Sequence, residues 1–190
     1  RKTTDKFSEF CYNYLNLLLG EIMKVTKFGG SSLASAEQLK KVLHIIKSDP
    51  ERRFVVVSAP GKRNSDDIKV TDALIRYYNC YTSGKNVRES QDWIINRYKT
   101  IIEELELGQN ILDNISEAIL QLATLPIKNN DFLYDTFLAA GEDNNAKLVA
   151  AFFNKSGLHA SYVHPKKAGI FVSSEPGNAR ILPSSYDKLE

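Results

Sequence analysis

The chain has 190 residues, of which 43% are hydrophobic and 25% are charged, and its formal net charge is +2. That composition excludes a disordered chain, which has fewer apolar residues and a larger net charge. The small net charge predicts neither nucleic acid nor a membrane as a partner, because no global field attracts the chain to phosphates. The two cysteines, Cys11 and Cys80, exclude a disulfide scaffold and a multi-cysteine zinc site.

The first 22 residues precede the only methionine, Met23, after which the pattern becomes regular. The apolar stretch at 15–19 is too short to cross a bilayer, and no small-residue cleavage site follows it. Residues 1–22 are interpreted as a leader translated from upstream of the native start, with an amphipathic N-terminal helix as the alternative. The chain is expected to be cytoplasmic.

Beyond that segment the pattern predicts a strand, a turn and a helix. Residues 24–28 form the strand, residues 29–32 form the turn, and Ser35 caps the helix in a capping box with Gln38. The continuous apolar run at 54–57 predicts a strand that is buried on both faces of a parallel sheet. Two strands joined by a helix indicate a βαβ unit.

The rest of the chain is mainly helical in its periodicity. Helices are predicted, in order, at 70–83, 87–107, 111–125, 131–140 and 142–155, with a break at Gly141 between the last two. Strands are predicted at 158–163 and 169–172, and the residues from 185 resemble the first turns of a further helix.

The segment from Lys27 to Ser32 is the strongest candidate for a ligand site. Its adjacent glycines permit a positive φ and a close backbone approach, and successive N–H groups there can bind an anion at a helix start. Lys27 ends the strand, where open α/β sheets bind ligands, and its ammonium can neutralise a phosphoryl group. The spacing is neither the Walker pattern nor the dinucleotide fingerprint. From these residues alone, a plain tight turn remains an alternative.

Residues 25–32, Val-Thr-Lys-Phe-Gly-Gly-Ser-Ser, resemble the N-terminal signature of the aspartate kinases, members of the amino-acid kinase superfamily. Three further segments, at 55–63, 140–148 and 168–186, resemble the same family in the expected order. The resemblance implies an α/β fold of the three-layer αβα amino-acid kinase type with a mostly parallel sheet. Residues 23–190 would be its N-terminal, substrate-binding portion, without the C-terminal part of the domain.

The resemblance also implies a reaction. Aspartate kinases transfer the γ-phosphate of Mg-ATP to the side-chain carboxylate of L-aspartate, giving 4-phospho-L-aspartate, the first step of lysine, threonine and methionine biosynthesis. A carboxylate is already ionised near neutral pH, so such a site supplies positioning and charge cancellation rather than a general base. The implied substrates are L-aspartate and ATP with Mg²⁺, and the intact enzyme is expected to be a homo-oligomer.

The first implied group of site residues lies in the glycine loop. By resemblance, Lys27 is the catalytic residue and stabilises the transferring phosphoryl group. The nucleotide site comprises Lys27 and Phe28 together with Gly29, Gly30 and Ser31, whose backbone N–H groups would hold phosphate oxygens. No side chain of the chain is assigned to a metal.

The second implied group binds the amino acid: Ser58 and Thr71 would hydrogen-bond L-aspartate, and Glu142 would receive its ammonium group. Each residue has a structural alternative. Ser58 could cap the exit from the second strand, and Thr71 could be the N-cap of a helix. Glu142 could stand at a helix start because a negative charge is favourable there.

Aspartate kinases continue well beyond the part that this chain resembles, with most nucleotide contacts and regulatory domains that bind end-product amino acids. We therefore expect the 190-residue chain alone to be inactive. Two alternatives stay open. One is a non-catalytic truncated module, and the other is a sibling kinase that acts on glutamate, carbamate or a nucleotide.

Overall fold

The computed structural model describes residues 23–128 and 130–189, so the interpretation of residues 1–22 lies outside the described residues. Strand β1 (Val25–Phe28) and strand β2 (Phe54–Val57) form a parallel pair, in register from Val25 opposite Phe54 to Phe28 opposite Val57. Both strands therefore end at the same edge of the sheet, and the loops that follow them leave side by side.

Helices make up most of the described chain. The α-helices, in chain order, are α1 (Ala36–Lys47), α2 (Val70–Thr82), α3 (Arg88–Glu104), α4 (Gln109–Gln121), α5 (Leu133–Lys155), α6 (Pro165–Ala168) and α7 (Tyr186–Leu189). Short 3₁₀ turns occupy Gly30–Leu33, Leu122–Thr124 and Pro183–Ser185. The α/β class is confirmed, and the predicted helices lie within a few residues of α1 to α4.

The segment that joins the two strands forms the predicted helix. Ser35 caps α1, and its hydroxyl accepts a hydrogen bond from the backbone N–H of Gln38 at 3.4 Å. Leu39, Val42 and Ile46 are buried on one face, as the i, i+3, i+7 spacing predicts. The β1–α1–β2 order with parallel strands confirms the expected βαβ unit.

The expectation that the strand at 54–57 is buried on both faces was wrong for the described residues. Phe28, Val55 and Val57 pack against the hydrophobic core, whereas Val25 and Phe54 on the opposite face are 67% and 53% exposed. The physical reason is that the described helices cover one face, so the apolar run of β2 alternates between core and solvent.

The core itself lies among helices α2 to α5. Tyr77 on α2 is fully buried and meets Phe137 of α5 edge-on, with ring centroids 4.9 Å apart. Its hydroxyl accepts from the Gln91 amide at 2.7 Å and donates to the Ile119 carbonyl at 3.1 Å. The polar end of this aromatic side chain is thereby satisfied in the interior.

The predicted break at Gly141 was wrong, because α5 runs without interruption from Leu133 to Lys155. Gly141 serves close packing instead: a Cβ there would lie 2.8 Å from the Cβ of Ala59 and 3.1 Å from Cδ1 of Leu74. The buried Tyr98 hydroxyl donates to the Gly141 carbonyl at 2.8 Å. A glycine inside a helix is thus explained by its neighbours rather than by a change of direction.

The two late strands were also predicted wrongly. Within the described part of the chain, residues 158–163 and 169–172 form no strand beyond an isolated antiparallel bridge between Val172 and Ile181. No described strand lies beside residues 158–163. The side chain of Asn154 instead bonds this segment, since its Oδ1 accepts from the Ala160 N–H at 3.0 Å. The helical start expected from residue 185 is confirmed by α7 and the 3₁₀ turn before it.

None of the described helices combines the length and the apolar character that crossing a membrane requires.

Candidate functional site

The loops that follow β1 and β2 touch each other through their backbones. The N–H of Ser58 donates to the Phe28 carbonyl at 3.2 Å, which extends the strand pairing by one step. The N–H of Gly61 then donates to the Gly30 carbonyl at 2.8 Å. The carboxyl edge of the sheet therefore carries two loops joined into one surface, which is the position that ligands occupy in open α/β sheets.

Both glycines are needed at this crossing because the backbones approach too closely for a side chain. A Cβ on Gly61 would lie 2.5 Å from the Gly30 carbonyl carbon, and one on Gly30 would lie 2.9 Å from the Ala59 carbonyl oxygen. The approach that the structure shows at Gly30 is to the backbone of the second loop, whereas the approach to a ligand that the glycine pair would permit stays a prediction. The positive φ that glycine permits is not used here, since Gly29 has φ −79° and neither it nor Gly30 is among the positive-φ glycines.

Arg97, a buried arginine that the sequence analysis missed, anchors these loops through hydrogen bonds. The Nη2 of Arg97 on α3 donates to the carbonyls of Ala34 and Gly61, each at 2.8 Å, and its side chain is 2% exposed. Its Nη1 lies 3.1 Å from Oδ2 of Asp67. Arg97 stands in the apolar stripe of α3 between Ile94 and Ile101, and a charged residue in such a stripe is the signal that could have found it.

Asp67 supplies the negative charge at this anchor. It accepts from the Arg63 side chain at 2.7 and 2.9 Å and from the Arg63 backbone N–H at 2.9 Å, and its own side chain is 6% exposed. The Arg63 hydrogen bonds hold the pKa of Asp67 well below its ordinary value of 3.8, and the Arg97 charge acts in the same direction, against the opposing effect of burial. The carboxylate is thus ionised at neutral pH.

Lys27 is the penultimate residue of β1, and its exposed side chain makes no hydrogen bond or ion pair with another described residue. Its Nζ lies 4.0 Å from the point where a Cβ on Gly29 would stand. The ammonium therefore faces the space that the glycine leaves open. Phe28 differs from its neighbours, because its side chain packs on the core and only its backbone is at the loop.

The turn after Gly29 is a 3₁₀ helix, in which the N–H of Ser32 donates to the Gly29 carbonyl at 3.0 Å. Gly30 and Ser31 open this turn, so their N–H groups have no partner within it. The long helix α1 begins only at Ala36, so its dipole is separated from the loop by the 3₁₀ turn. The N–H groups, more than the helix dipole, make this loop suitable for an anion.

Ser58 and Thr71 also lie next to this edge. The backbone of Ser58 is bonded on both sides, and its hydroxyl makes no hydrogen bond with another described residue, which leaves it available to a ligand. The N-cap expectation for Thr71 was wrong: the N-cap of α2 is Lys69, and Thr71 is the second residue of the helix. The N–H of Val70 donates to the Pro60 carbonyl at 3.1 Å and ties the start of α2 to the second loop.

Glu142 is not at a helix start, contrary to the alternative considered from sequence, but in the middle of α5. Its side chain is exposed and has no hydrogen bond or ion pair with the rest of the described chain. Its neighbour Asp143 is engaged, since Tyr162 donates to it and the Lys147 ammonium lies 2.6 Å away. Of the two carboxylates, Glu142 is therefore the one that is free to meet a ligand.

The loop after β2 contacts each of the elements that carry or adjoin the candidate residues. Its residues 58–61 contact Gly30 of the first loop, Val70 at the start of α2, and Gly141 and Asn145 of α5. The neighbouring candidates Lys27, Thr71 and Glu142 consequently border the same edge of the sheet. Within the described ranges, three or more histidine, cysteine or acidic side chains nowhere come together as metal ligands.

Comparison with known proteins identifies the family of the chain. The family model described as the amino acid kinase family matches residues 23–190. The chain belongs to the amino acid kinase family. Aspartokinase 3 of Bacillus subtilis is 50% identical over 167 residues, which are 88% of this chain and 37% of that protein.

Solved structures share the fold of this amino acid kinase chain. The crystal structure of Clostridium acetobutylicum aspartate kinase has a TM-score of 0.58 and 34% identity, over 68% of this chain and 29% of that one. E. coli aspartokinase III in complex with aspartate and ADP has a TM-score of 0.68 and 22% identity, over 88% of this chain and 36% of that one. The chain thus spans about a third of the length of the relatives it matches.

The backbone crossing predicts that Gly61→Ala destabilises the chain by about 2–3 kcal/mol, the usual cost of overpacking where nothing nearby can yield. The added Cβ would meet backbone atoms of Gly30, which cannot rotate away. Urea unfolding followed by circular dichroism measures the change.

Gly108→Ala is the matched control, because the atoms its Cβ would meet within 4 Å belong to the flexible Asn110 side chain. We expect it to cost about 1 kcal/mol or less, as a change at a helix N-cap. Equal losses in the two variants would contradict the steric requirement at Gly61.

The Arg97–Asp67 pair predicts a pH-dependent effect of Asp67→Asn. Removing one partner of a buried ion pair costs about 3 kcal/mol at pH 7. Because the folded pKa of Asp67 is depressed, its stabilising contribution is complete above the unfolded pKa and is lost as the pH falls through the folded pKa. The stability difference between wild type and variant should therefore shrink below about pH 4.

Urea unfolding at pH 7 and at progressively lower pH tests this. Asp66→Asn is the control, since Asp66 is the adjacent aspartate but is exposed and has no arginine partner among the described residues. A pH-independent loss in Asp67→Asn, or the same loss in Asp66→Asn, would show that the ion pair is not the cause.

Proposed function

We propose that the chain is the aspartate-binding, N-terminal part of the kinase domain of an aspartate kinase. The observation that carries this proposal is that Lys27, on the strand before the glycine loop, and Glu142, on the helix that packs on the loop after β2, both have side chains without a partner in the described chain. The 50% identity of the chain to Aspartokinase 3 of Bacillus subtilis supports the same conclusion. The E. coli aspartokinase III that shares this fold was crystallised with aspartate and ADP.

In this reaction a side-chain carboxylate oxygen of L-aspartate attacks the γ-phosphorus of ATP. A bond forms between that oxygen and phosphorus, the bond from phosphorus to the β-phosphate oxygen breaks, and ADP leaves with the bonding pair. No proton has to be removed from the nucleophile, because a carboxylate is ionised at neutral pH. The protein therefore contributes alignment and positive charge at the oxygens of the transferring group.

Lys27 supplies the positive charge in this proposal. Its ammonium is unpaired within the described chain and faces the open side of Gly29, so no internal carboxylate has to be displaced. The N–H groups of Gly30 and Ser31 bind phosphate oxygens beside it. ATP enters as its Mg²⁺ complex.

Ser58, Thr71 and Glu142 hold the amino acid. Glu142 pairs with the ammonium group of aspartate, a role open to it because Asp143 is already occupied by Tyr162 and Lys147. The hydroxyls of Ser58 and Thr71 donate to carboxylate oxygens. An ammonium bound at α5 and a phosphate bound at the glycine loop orient the side-chain carboxylate between them.

Residues 23–190 form this portion of the domain, and the family members they match are about three times as long. We propose that the rest of the nucleotide site, the regulatory domains and the homo-oligomer belong to the full-length protein. We also propose that this protein acts in the cytoplasm in the biosynthesis of lysine, threonine and methionine, and that the 190-residue chain alone lacks phosphotransferase activity.

Lys27→Ala in the full-length protein is expected to lower kcat about a hundred- to a thousand-fold, with a smaller change in KM for L-aspartate. The reason is that the lysine charge is needed mainly when charge moves in the transition state, where one preorganised contact is worth about 2.7–4 kcal/mol. Phosphorylation of aspartate is measured by trapping the acyl phosphate with hydroxylamine.

Lys40→Ala is the control for Lys27, because Lys40 is an exposed lysine on α1 without a described partner. Its kcat should equal that of the wild type. Near-normal turnover in Lys27→Ala would remove the proposed role from this residue.

Glu142→Gln is expected to weaken L-aspartate binding while ATP binding changes little, since the shape is kept and the charge for the ammonium is lost. Competition with succinate, which lacks the amino group, reports the contact directly. The preference for aspartate over succinate should fall in Glu142→Gln and persist in Glu117→Gln, an exposed carboxylate on α4. An unchanged preference in Glu142→Gln would refute the assignment.

A further inference from the structure

Helix α5 meets the loop after β2 at two points that are one helical turn apart. At the first, Gly141 packs directly on Ala59, where an added Cβ would come within 2.8 Å of the alanine Cβ. At the second, Nδ2 of Asn145 donates to the carbonyl of Ser58 at 2.6 Å. Glu142 lies on the helix between these two contacts.

The Asn145 side chain is fully buried, and its Oδ1 has no hydrogen-bond partner among the described residues. A buried and unpaired amide oxygen is unfavourable, typically by about 1–3 kcal/mol in proteins. An apolar residue would fill the same position of the helix without that cost. The feature that an apolar side chain cannot reproduce is the donor to the Ser58 carbonyl.

That donor completes the fixation of Ser58. The N–H of Ser58 is held by the Phe28 carbonyl at 3.2 Å, and its carbonyl is held by Asn145. With both backbone groups bonded, the hydroxyl of Ser58 leaves the loop in a defined direction relative to α5. Glu142 and Asn145 are three residues apart on that helix, and such residues are neighbours on the helix surface.

We propose that Asn145 is a positioning residue that sets the separation between the Ser58 hydroxyl and the Glu142 carboxylate. The inference rests on the proposed function, in which these two groups hold a carboxylate and the ammonium group of the same L-aspartate. Asn145 does not touch the substrate. It acts by keeping the loop after β2 at a fixed distance from α5, and so sets the spacing of the two groups that would contact the amino acid.

Asn145→Asp in the full-length protein tests this inference, because it replaces the donor with an oxygen of nearly the same size. The carboxylate oxygen faces the Ser58 carbonyl oxygen and cannot donate when it is ionised. We expect KM for L-aspartate to rise about tenfold or more, the effect of losing a buried hydrogen bond, while KM for ATP stays within about twofold.

Asn144→Asp is the matched control. Asn144 is the preceding residue of the same helix, is 1% exposed, and likewise carries buried polar atoms, but it makes no hydrogen bond to Ser58. Any general effect of placing a carboxylate in this part of the core should appear in both variants. The selective rise in KM for aspartate should appear only in Asn145→Asp.

A double-mutant cycle with Ser58→Ala separates positioning from a structural effect. If Asn145 acts through Ser58, the increase in KM caused by Ser58→Ala should be several-fold smaller in the Asn145→Asp background than in the wild type. Asn145→Ala, which removes the donor without adding charge, takes the place of Asn145→Asp should that variant fail to fold.

Equal effects of the two Asp variants, additive effects in the cycle, or an unchanged KM for aspartate in Asn145→Asp would each overturn the inference while leaving the proposed function intact. A wild-type protein that does not phosphorylate L-aspartate would overturn the proposed function, and the inference with it. The two failures are therefore distinguished by the wild-type assay alone.

Discussion

The guanidinium of Arg97 is the contact on which the architecture of the site depends. A single side chain on α3 bonds the carbonyls of Ala34 and Gly61 and faces the carboxylate of Asp67. These three partners come from the segment before α1 and from the loop between β2 and α2. The two carbonyls and the carboxylate offset part of the cost of burying this charge, and burial still lowers the pKa of Arg97.

This anchor holds the backbone of both loops at the candidate site. The backbone of Gly61 is held by Arg97 at its carbonyl and by Gly30 at its N–H. Lys27 and the N–H groups of the first loop are therefore presented by a backbone that is fixed from behind. In the proposed reaction, charge cancellation by such preorganised groups requires no rearrangement at the moment of transfer.

The sequence predicted the parts of the fold that depend on local pattern. The β1–α1–β2 unit follows from apolar periodicity and from the cap at Ser35, both of which are visible within a dozen residues. The sequence-based prediction failed where the role of a residue depends on a partner far away in the chain. Gly141 was taken for a break because its neighbour Ala59 lies far away in the chain. Residues 158–163 were predicted as a strand, but a strand also needs a neighbour with which to pair.

The same contrast between local patterns and distant contacts applies to the candidate site. The glycine loop with Lys27 could be recognised from the sequence, since a glycine pair between a strand and a helix is a local signal. Arg97 was missed because arginine is normally assigned to the surface. The contrast between Glu142 and Asp143, one free and one engaged, depends on the position of Tyr162 and is invisible in the sequence.

The contacts that define the site join residues far apart in the chain, and this has a consequence for how the molecule assembles. Arg97 and Ala34 are separated by 63 residues, and Asn145 and Ser58 by 87. The entropic cost of closing such loops has to be met before these contacts form, whereas α2, α3 and α4 each pack on the next helix along the chain. The carboxyl edge of the sheet therefore depends on the helices that pack against it, and a mutation that loosens these helices can displace the candidate residues without replacing any of them.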